Sequence, residues 1–298
     1  MKHIAIAMVA GFVLAAPAYA SEHGGGHGHA SAGSADHEAV GNDVIEFQRN
    51  KLKANTRGKG FGPQSPRDID SKAGNNRIIF NSAPAYTKMN LCNIHFHKNA
   101  EHKGGEFTIY AGNGDGHGNQ SGFRADISGL SAAELKPTHG PICKGDHGSL
   151  LPGDTIEVHY VHSTADITPG PTLGSCLAKD VINNPQLRVE TQVYVLVNDR
   201  HAPDFGKLTA ISTKGKGAQA TGIPSDTGTP VQYEGSTTGP GYNENGSPFQ
   251  VTWSVRPKVA KVNIETVGKW CKGNVFNEDH GHGVRNLVIN KDLLSRIR

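Results

Sequence analysis

Residues 93–97 read Asn93-Ile94-His95-Phe96-His97, and a later stretch reads Glu157-Val158-His159-Tyr160-Val161-His162. Both alternate with a period of two, the mark of a β-strand whose two faces differ. In the first, Asn93, His95 and His97 share one face, and Ile94 and Phe96 the other. In the second, Glu157, His159 and Val161 share a face, and His162 falls on the opposite one. If the two strands are neighbours, three imidazoles converge. Three neutral histidines with an open fourth position for water form a catalytic zinc site. His95, His97 and His159 are therefore the expected ligands of one Zn2+ ion per chain, a site that other divalent ions such as Co2+ would also fit. Ligand histidines usually give their second N–H to a nearby acceptor, and Asn93 and Glu157 stand beside them on the same faces for that role.

Working outward, Arg77–Phe80, Met89–His97, Glu106–Ala111, Thr155–His162, Leu187–Val197 and Gln250–Val255 alternate or are β-branched, as strands do. Gly- and Pro-rich turns such as Ala111–Gly118 and Thr168–Gly174 separate them. Val44–Lys53, Ser131–Leu135 and Lys291–Ile297 read as short helices. The 298 residues include 38 glycines and only 6% aromatics. This composition predicts a loop-rich, mainly β domain with a central, largely antiparallel twisted sheet and few short helices. No internal repeat is present.

The N-terminus has the pattern of a secretory signal: Lys2, an apolar run over Ile4–Ala16, and Ala18-Tyr19-Ala20 as a small-residue cleavage site. The run is too short to span a bilayer, so no membrane anchor is expected once residues 1–20 are removed. Residues 21–43 follow as a Gly-, Ser- and His-rich segment with too little apolar surface to offset its ordering entropy. Its His23, His27, His29 and His37 suit either a metal-gathering tail or a plain linker. The catalytic domain is expected over 44–298. A periplasmic or secreted chain permits disulfides among Cys92, Cys143, Cys176 and Cys271. The expected pairs are Cys143 with Cys176, which bracket the Thr155–His162 strand, and Cys92 with Cys271. The formal charge of +3, with basic residues scattered, gives no sign of a nucleic-acid partner. Oligomeric state is not legible.

Four segments resemble the α-type carbonic anhydrases, and most closely their delta class. They are Gly62-Pro63-Gln64-Ser65-Pro66-Arg67-Asp68-Ile69-Asp70, His95-Phe96-His97 with Glu101-His102, Glu157–His162, and Tyr233-Glu234-Gly235-Ser236-Thr237-Thr238-Gly239-Pro240 with Val251-Thr252-Trp253. They occur in the family's order. The resemblance implies reversible hydration of carbon dioxide to bicarbonate and a proton by attack of zinc-bound hydroxide, with anions and sulfonamides as inhibitors. Thr238 would accept a hydrogen bond from that hydroxide, and Glu101 would accept one from Thr238 and fix its direction; Thr237 stands one place early. Val161, with Val193 or Val195, would line the carbon dioxide pocket. Between Pro66 and His95 there is no histidine to carry protons out, so His102, His117, His139 and His147 are the candidates.

Two rival readings use the same residues. His95-x-His97-x-x-x-Glu101 with His159 resembles the four-ligand set of the cupins, which would make Glu101 a ligand. A periplasmic metal-binding protein without catalysis would use the three histidines and the His-rich tail for storage, leaving Thr238 and Glu101 without a role.

Overall fold

A computed structural model describes residues 38–177, 185–213, 217–237, 241 and 243–298. Contacts divide the chain into Met1–Ser34 and Ala35–Arg298, and all described residues belong to the second unit. The signal sequence, the four tail histidines and Thr238 lie outside the described residues.

Six strands form one mixed sheet: β1 (Asn90–Lys98), β2 (Thr155–Ser163), β3 (Leu187–Val197), β4 (Val231–Ser236), β5 (Gln250–Val255) and β6 (Ala260–Asn263). The order is β1-β2-β3-β5-β4. The pairs β1/β2, β2/β3 and β4/β5 are antiparallel. On the far edge of β3, β5 pairs in parallel with Arg188–Thr191 and β6 in parallel with Tyr194–Val197. The sheet is thus mainly antiparallel with two parallel junctions. It sits in a mainly β domain, as the composition predicts.

Both faces of the sheet are covered, which is why every residue of β2 and β3 is buried. One face packs Ile94, Phe96, Val158, Tyr160, Tyr194 and Leu196 beneath α2 (Phe205–Leu208) and α3 (Ile264–Cys271), through Phe205, Val267 and Trp270. The other packs Cys92, Val161, Val189, Val193, Tyr233 and Trp253. The two periodicities quoted above therefore divide the sheet into a helix-covered face and a face open to a cavity. Burying apolar side chains at roughly 25 cal/mol per Å2 on both faces holds this arrangement rigid.

Other expectations are corrected. The first helix, α1 (Asn42–Thr56), runs longer than Val44–Lys53. Arg77–Phe80 forms no strand: Ile78 and Ile79 are exposed, so its β-branched residues have no sheet to join. Of Glu106–Ala111 only Ile109–Tyr110 forms a strand, paired with Phe123–Arg124, while Phe107 makes an isolated bridge to Gly104. Ser131–Leu135 is a set of turns, and only Lys291–Leu293 of the last segment is helical, as one 3-10 turn. The disulfides are Cys92–Cys176 and Cys143–Cys271, not the expected pairs. The sheet decides this. Cys143 lies in the helix-covered layer with Cys271 of α3, whereas Cys176 lies with Cys92 in the layer facing the cavity.

Candidate metal centre

The register of β1 on β2 sets His95 opposite His159 and His97 opposite Glu157. His95, His97 and His159 thereby come together, with one nitrogen of each lying within 4.8 Å of the others. The inward atoms are His95 Nε2, His97 Nε2 and His159 Nδ1, because the opposite ring nitrogen of each has an outer partner. His95 Nδ1 donates to Asn93 Oδ1 at 2.6 Å, His97 Nδ1 to the Gly283 carbonyl at 2.7 Å, and His159 Nε2 to Glu157 Oε1 at 2.9 Å. His95 Nε2 and His159 Nδ1 lie 3.2 Å apart. Two nitrogens each about 2.0–2.1 Å from a tetrahedral zinc ion stand at about that separation. Burial holds His95 well below the usual imidazole range, helped by the rings of His159, His97 and His282. It lowers His97 to about 4, against the opposing pull of Glu101. Both rings are therefore neutral at physiological pH, as ligands must be.

Glu157 is fully buried and serves two histidines. Besides His159 it accepts from His102 Nδ1 at 2.6 Å and from the His102 backbone N–H at 3.1 Å. Burial alone would raise its carboxyl, but the charge and hydrogen bond of His102 and the hydrogen bond from His159 outweigh it and hold it ionised. The Tyr233 hydroxyl is hydrogen-bonded to His102 Nε2 at 2.7 Å, and burial pushes that phenol well above its usual range. Trp253 lies over both His102 and His159, its ring 4.7 Å and 5.0 Å from theirs. Gly235 permits this packing, since a side-chain carbon there would meet Ser65 Oγ at 2.1 Å and the Trp253 ring at 2.6 Å.

A cavity of about 440 Å3 opens over the three histidines, lined in part by Val161, Val189, Leu173 and Trp253. Val193 and Val195 are buried away from it, Val195 against Ala125 and Val197. Glu101 lines the cavity but stands outside the three-histidine group. Its Oε1 accepts from the Arg285 backbone N–H at 3.0 Å, and its Oε2 lies 3.8 Å from His97 Nε2. The four-ligand cupin arrangement is not formed. Thr237 lines the same cavity, and its hydroxyl is buried without a hydrogen-bond partner among the described residues.

The proposed proton carriers scatter. His102 is fully buried with both ring nitrogens engaged, so it orients Glu157 and has no path to solvent. His117, His139 and His147 are exposed. His147 lies 3.9 Å from Asp115 and lines a small second cavity together with His280 and His282. His162 is on the helix-covered face, bonded to the Tyr160 carbonyl at 2.9 Å and lying against Tyr86.

Sequence reading missed the segment Glu278–Gly283. It runs beside β1, where the His282 N–H donates to Phe96 O and the Lys98 N–H donates to His282 O. It supplies the Gly283 carbonyl to His97 and places the His282 ring 5.7 Å and 5.9 Å from those of His95 and His97. Burial disfavours the charged His282 ring, but the hydrogen bond and charge of Glu278, with Glu101 and Asp279, raise it overall. The available signal was His280-Gly281-His282, a second His-x-His pair in a stretch without strand periodicity.

A family model described as delta carbonic anhydrase matches residues 86–266. No curated protein matches the chain. Among solved structures, it is similar to an alpha-carbonic anhydrase of Photobacterium profundum, at 17% identity over 83% of this chain and 95% of that one, with a TM-score of 0.26. An alpha carbonic anhydrase of Aspergillus oryzae matches at 13% identity over 65% and 58%, with a TM-score of 0.27. A hyperthermostable carbonic anhydrase from a hydrothermal vent chimney matches at 19% over 81% and 90%, again with a TM-score of 0.27.

Proposed function

The chain belongs to the delta carbonic anhydrase family, and from that premise we propose that it hydrates carbon dioxide with a zinc ion held by His95 Nε2, His97 Nε2 and His159 Nδ1. One observation carries the reading: three imidazole nitrogens converge, while the other nitrogen of each ring is held by a separate acceptor. That donor set fits zinc, or Co2+ in its place, with one position left open. A zinc ion bound there lowers the pKa of its water towards neutrality, an effect for which carbonic anhydrase is itself the reference case.

The protein's own groups do the rest. Asn93, Gly283 O and Glu157 fix ring orientation, and Glu157 raises the basicity of His159. Val161 and Val189 form the apolar wall for carbon dioxide. Thr238 is the hydroxyl that the family resemblance assigns to accept a hydrogen bond from zinc-bound hydroxide, and Glu101 would accept its proton and so fix its direction; the neighbouring Thr237 is the alternative hydroxyl. Anions and sulfonamides would inhibit by competing for the metal that His95, His97 and His159 would hold. His147 carries the released proton away, because it lines the cavity that shares His282 with the site. Residues 1–20 direct export, which agrees with two disulfides and with the absence of a membrane-crossing helix among the described residues.

Metal analysis together with stopped-flow hydration, with and without a sulfonamide, tests the reading. Glu101→Gln should keep zinc near one equivalent while lowering the hydration rate, because an amide can donate to Thr238 and reverse the chain. Thr238→Ala should match it, and the double variant should be little worse than either, as for residues acting as a unit. Zinc loss from a folded Glu101→Gln protein would refute the assignment of Glu101. His147→Ala should slow turnover at low buffer concentration only.

A further inference from the structure

We infer that the Cys92–Cys176 disulfide is a positioning device for the metal site: it clamps the loop from Gly170 to Cys176 against the ligand strand, and through Asn93 that loop sets the orientation of His95. The inference rests on the reading of His95, His97 and His159 as metal ligands.

Asn93 does two things with one amide. Its Oδ1 accepts from His95 Nδ1 at 2.6 Å, and its Nδ2 donates to the Gly170 carbonyl at 3.1 Å. An amide has an acceptor end and a donor end, and a carbonyl oxygen can only accept. Gly170 O therefore decides which end of Asn93 faces His95. Were the amide reversed, its NH2 would meet Nδ1, the ring proton would move to Nε2, and His95 would no longer offer Nε2 to a metal.

Gly170 is itself fastened to Cys92. Its N–H donates to the Cys92 carbonyl at 3.0 Å. Six residues on, Cys176 closes the disulfide to the same residue, and its carbonyl accepts from Ser163 Oγ at 2.8 Å. The β1/β2 register slips between Leu91 and Asn93, so Cys92 is an extra residue there. That bulge lets Cys92 join the cavity-side core beside Asn93 rather than alternate away from it. Between the two anchors Thr172 sits at φ 58° and ψ 173°, a region that β-branched residues rarely occupy unless their surroundings impose it. Thr172 and Leu173 then form one wall of the cavity. Both sulfur-bearing residues have no exposure, so the clamp is shielded from solvent in the folded protein. The Cys143–Cys271 bridge lies in the other core layer and serves as an internal control.

The test measures zinc affinity of the full chain by competition with a chromophoric chelator. Cys92→Ala/Cys176→Ala and Asn93→Leu should each weaken zinc about 10- to 100-fold, the usual effect of losing an orienting partner. Combined, they should be no worse than either alone, since both act through one chain of contacts. Cys143→Ala/Cys271→Ala should leave zinc affinity unchanged. Ser163→Ala, a milder loosening of the Cys176 anchor, should weaken zinc by a smaller factor. Wild-type zinc affinity in the Cys92/Cys176 variant overturns the inference, as do effects that multiply when combined with Asn93→Leu. If that variant fails to fold, unchanged affinity in Ser163→Ala overturns it. If His159→Ala binds zinc as tightly as wild type, the ligand reading falls and takes this inference with it. Zinc that depends on His159 but not on the disulfide sinks the inference alone.

Discussion

The two faces of the central sheet each bury histidine and each border a disulfide, yet they use these groups differently. On the cavity face, His95, His97 and His159 have their outer nitrogens held by Asn93, Gly283 and Glu157, and their inner nitrogens meet. On the helix-covered face, His162 has one nitrogen bonded to the Tyr160 carbonyl and the other buried without a partner among the described residues. The cavity-face disulfide ties a loop to the ligand strand. The other ties Cys143 to the end of α3 and touches no ligand. The difference teaches that burial disfavours the charged imidazole on either face, and that an acceptor on one ring nitrogen is found on both; what sets the cavity face apart is that the remaining nitrogens of three rings converge on one point, whereas that of His162 stands alone among the described residues.

The largest effect should separate two histidines of the same strand. His159→Ala should lose bound zinc by more than the roughly 100-fold that an orienting partner costs, and hydration with it. His162→Ala, three residues away on the other face, should keep full zinc content by metal analysis. Zinc loss in the His162 variant would erase the distinction between the faces.

Next comes the helix-side bridge, which closes a separation of 128 residues. Cys143→Ala/Cys271→Ala should lower unfolding free energy by about 2–4 kcal/mol in denaturant titrations, with the zinc affinity untouched. A loss of zinc affinity comparable to that of the Cys92/Cys176 variant would show that the two bridges are not distinct in role.

The effect that is smallest per step concerns pH, since it accrues gradually over the window. Burial lowers His162 to about 4, from an ordinary 6.5. Between those values the unfolded chain takes up a proton that the folded chain refuses. Stability from this group is therefore full above 6.5 and falls as pH drops towards 4, by up to about 1.4 kcal/mol per pH unit. In denaturant titrations across that window, His162→Gln should show a shallower slope than wild type. Parallel slopes would mean that His162 does not stay neutral in the fold.

Much of the site was legible because strand periodicity is a local property. Alternation over 93–97 and 157–162 put His95, His97 and His159 on matching faces and His162 on the other, and the β2, β3 and β5 spans follow from β-branched runs. Arg77–Phe80 carried a similar signal and became no strand, because a run of Ile and Phe needs a partner edge that local sequence does not supply. His102 reads as a spare histidine beside Glu101 until folding buries it against Glu157 and Tyr233, far along the chain.

By itself, then, the sequence determined the strand faces, the three histidines that converge and are proposed as ligands, and the neighbours Asn93 and Glu157 that hydrogen-bond two of them. Each of these depends on residues at most a few positions apart. The tertiary structure alone decided the pairing of cysteines, the Gly283 carbonyl beneath His97, the wall formed by Thr172 and Leu173, and the cavity between them. Those depend on which layer of the sheet each distant segment covers, and layers are chosen by packing the whole core, not by any one stretch of chain.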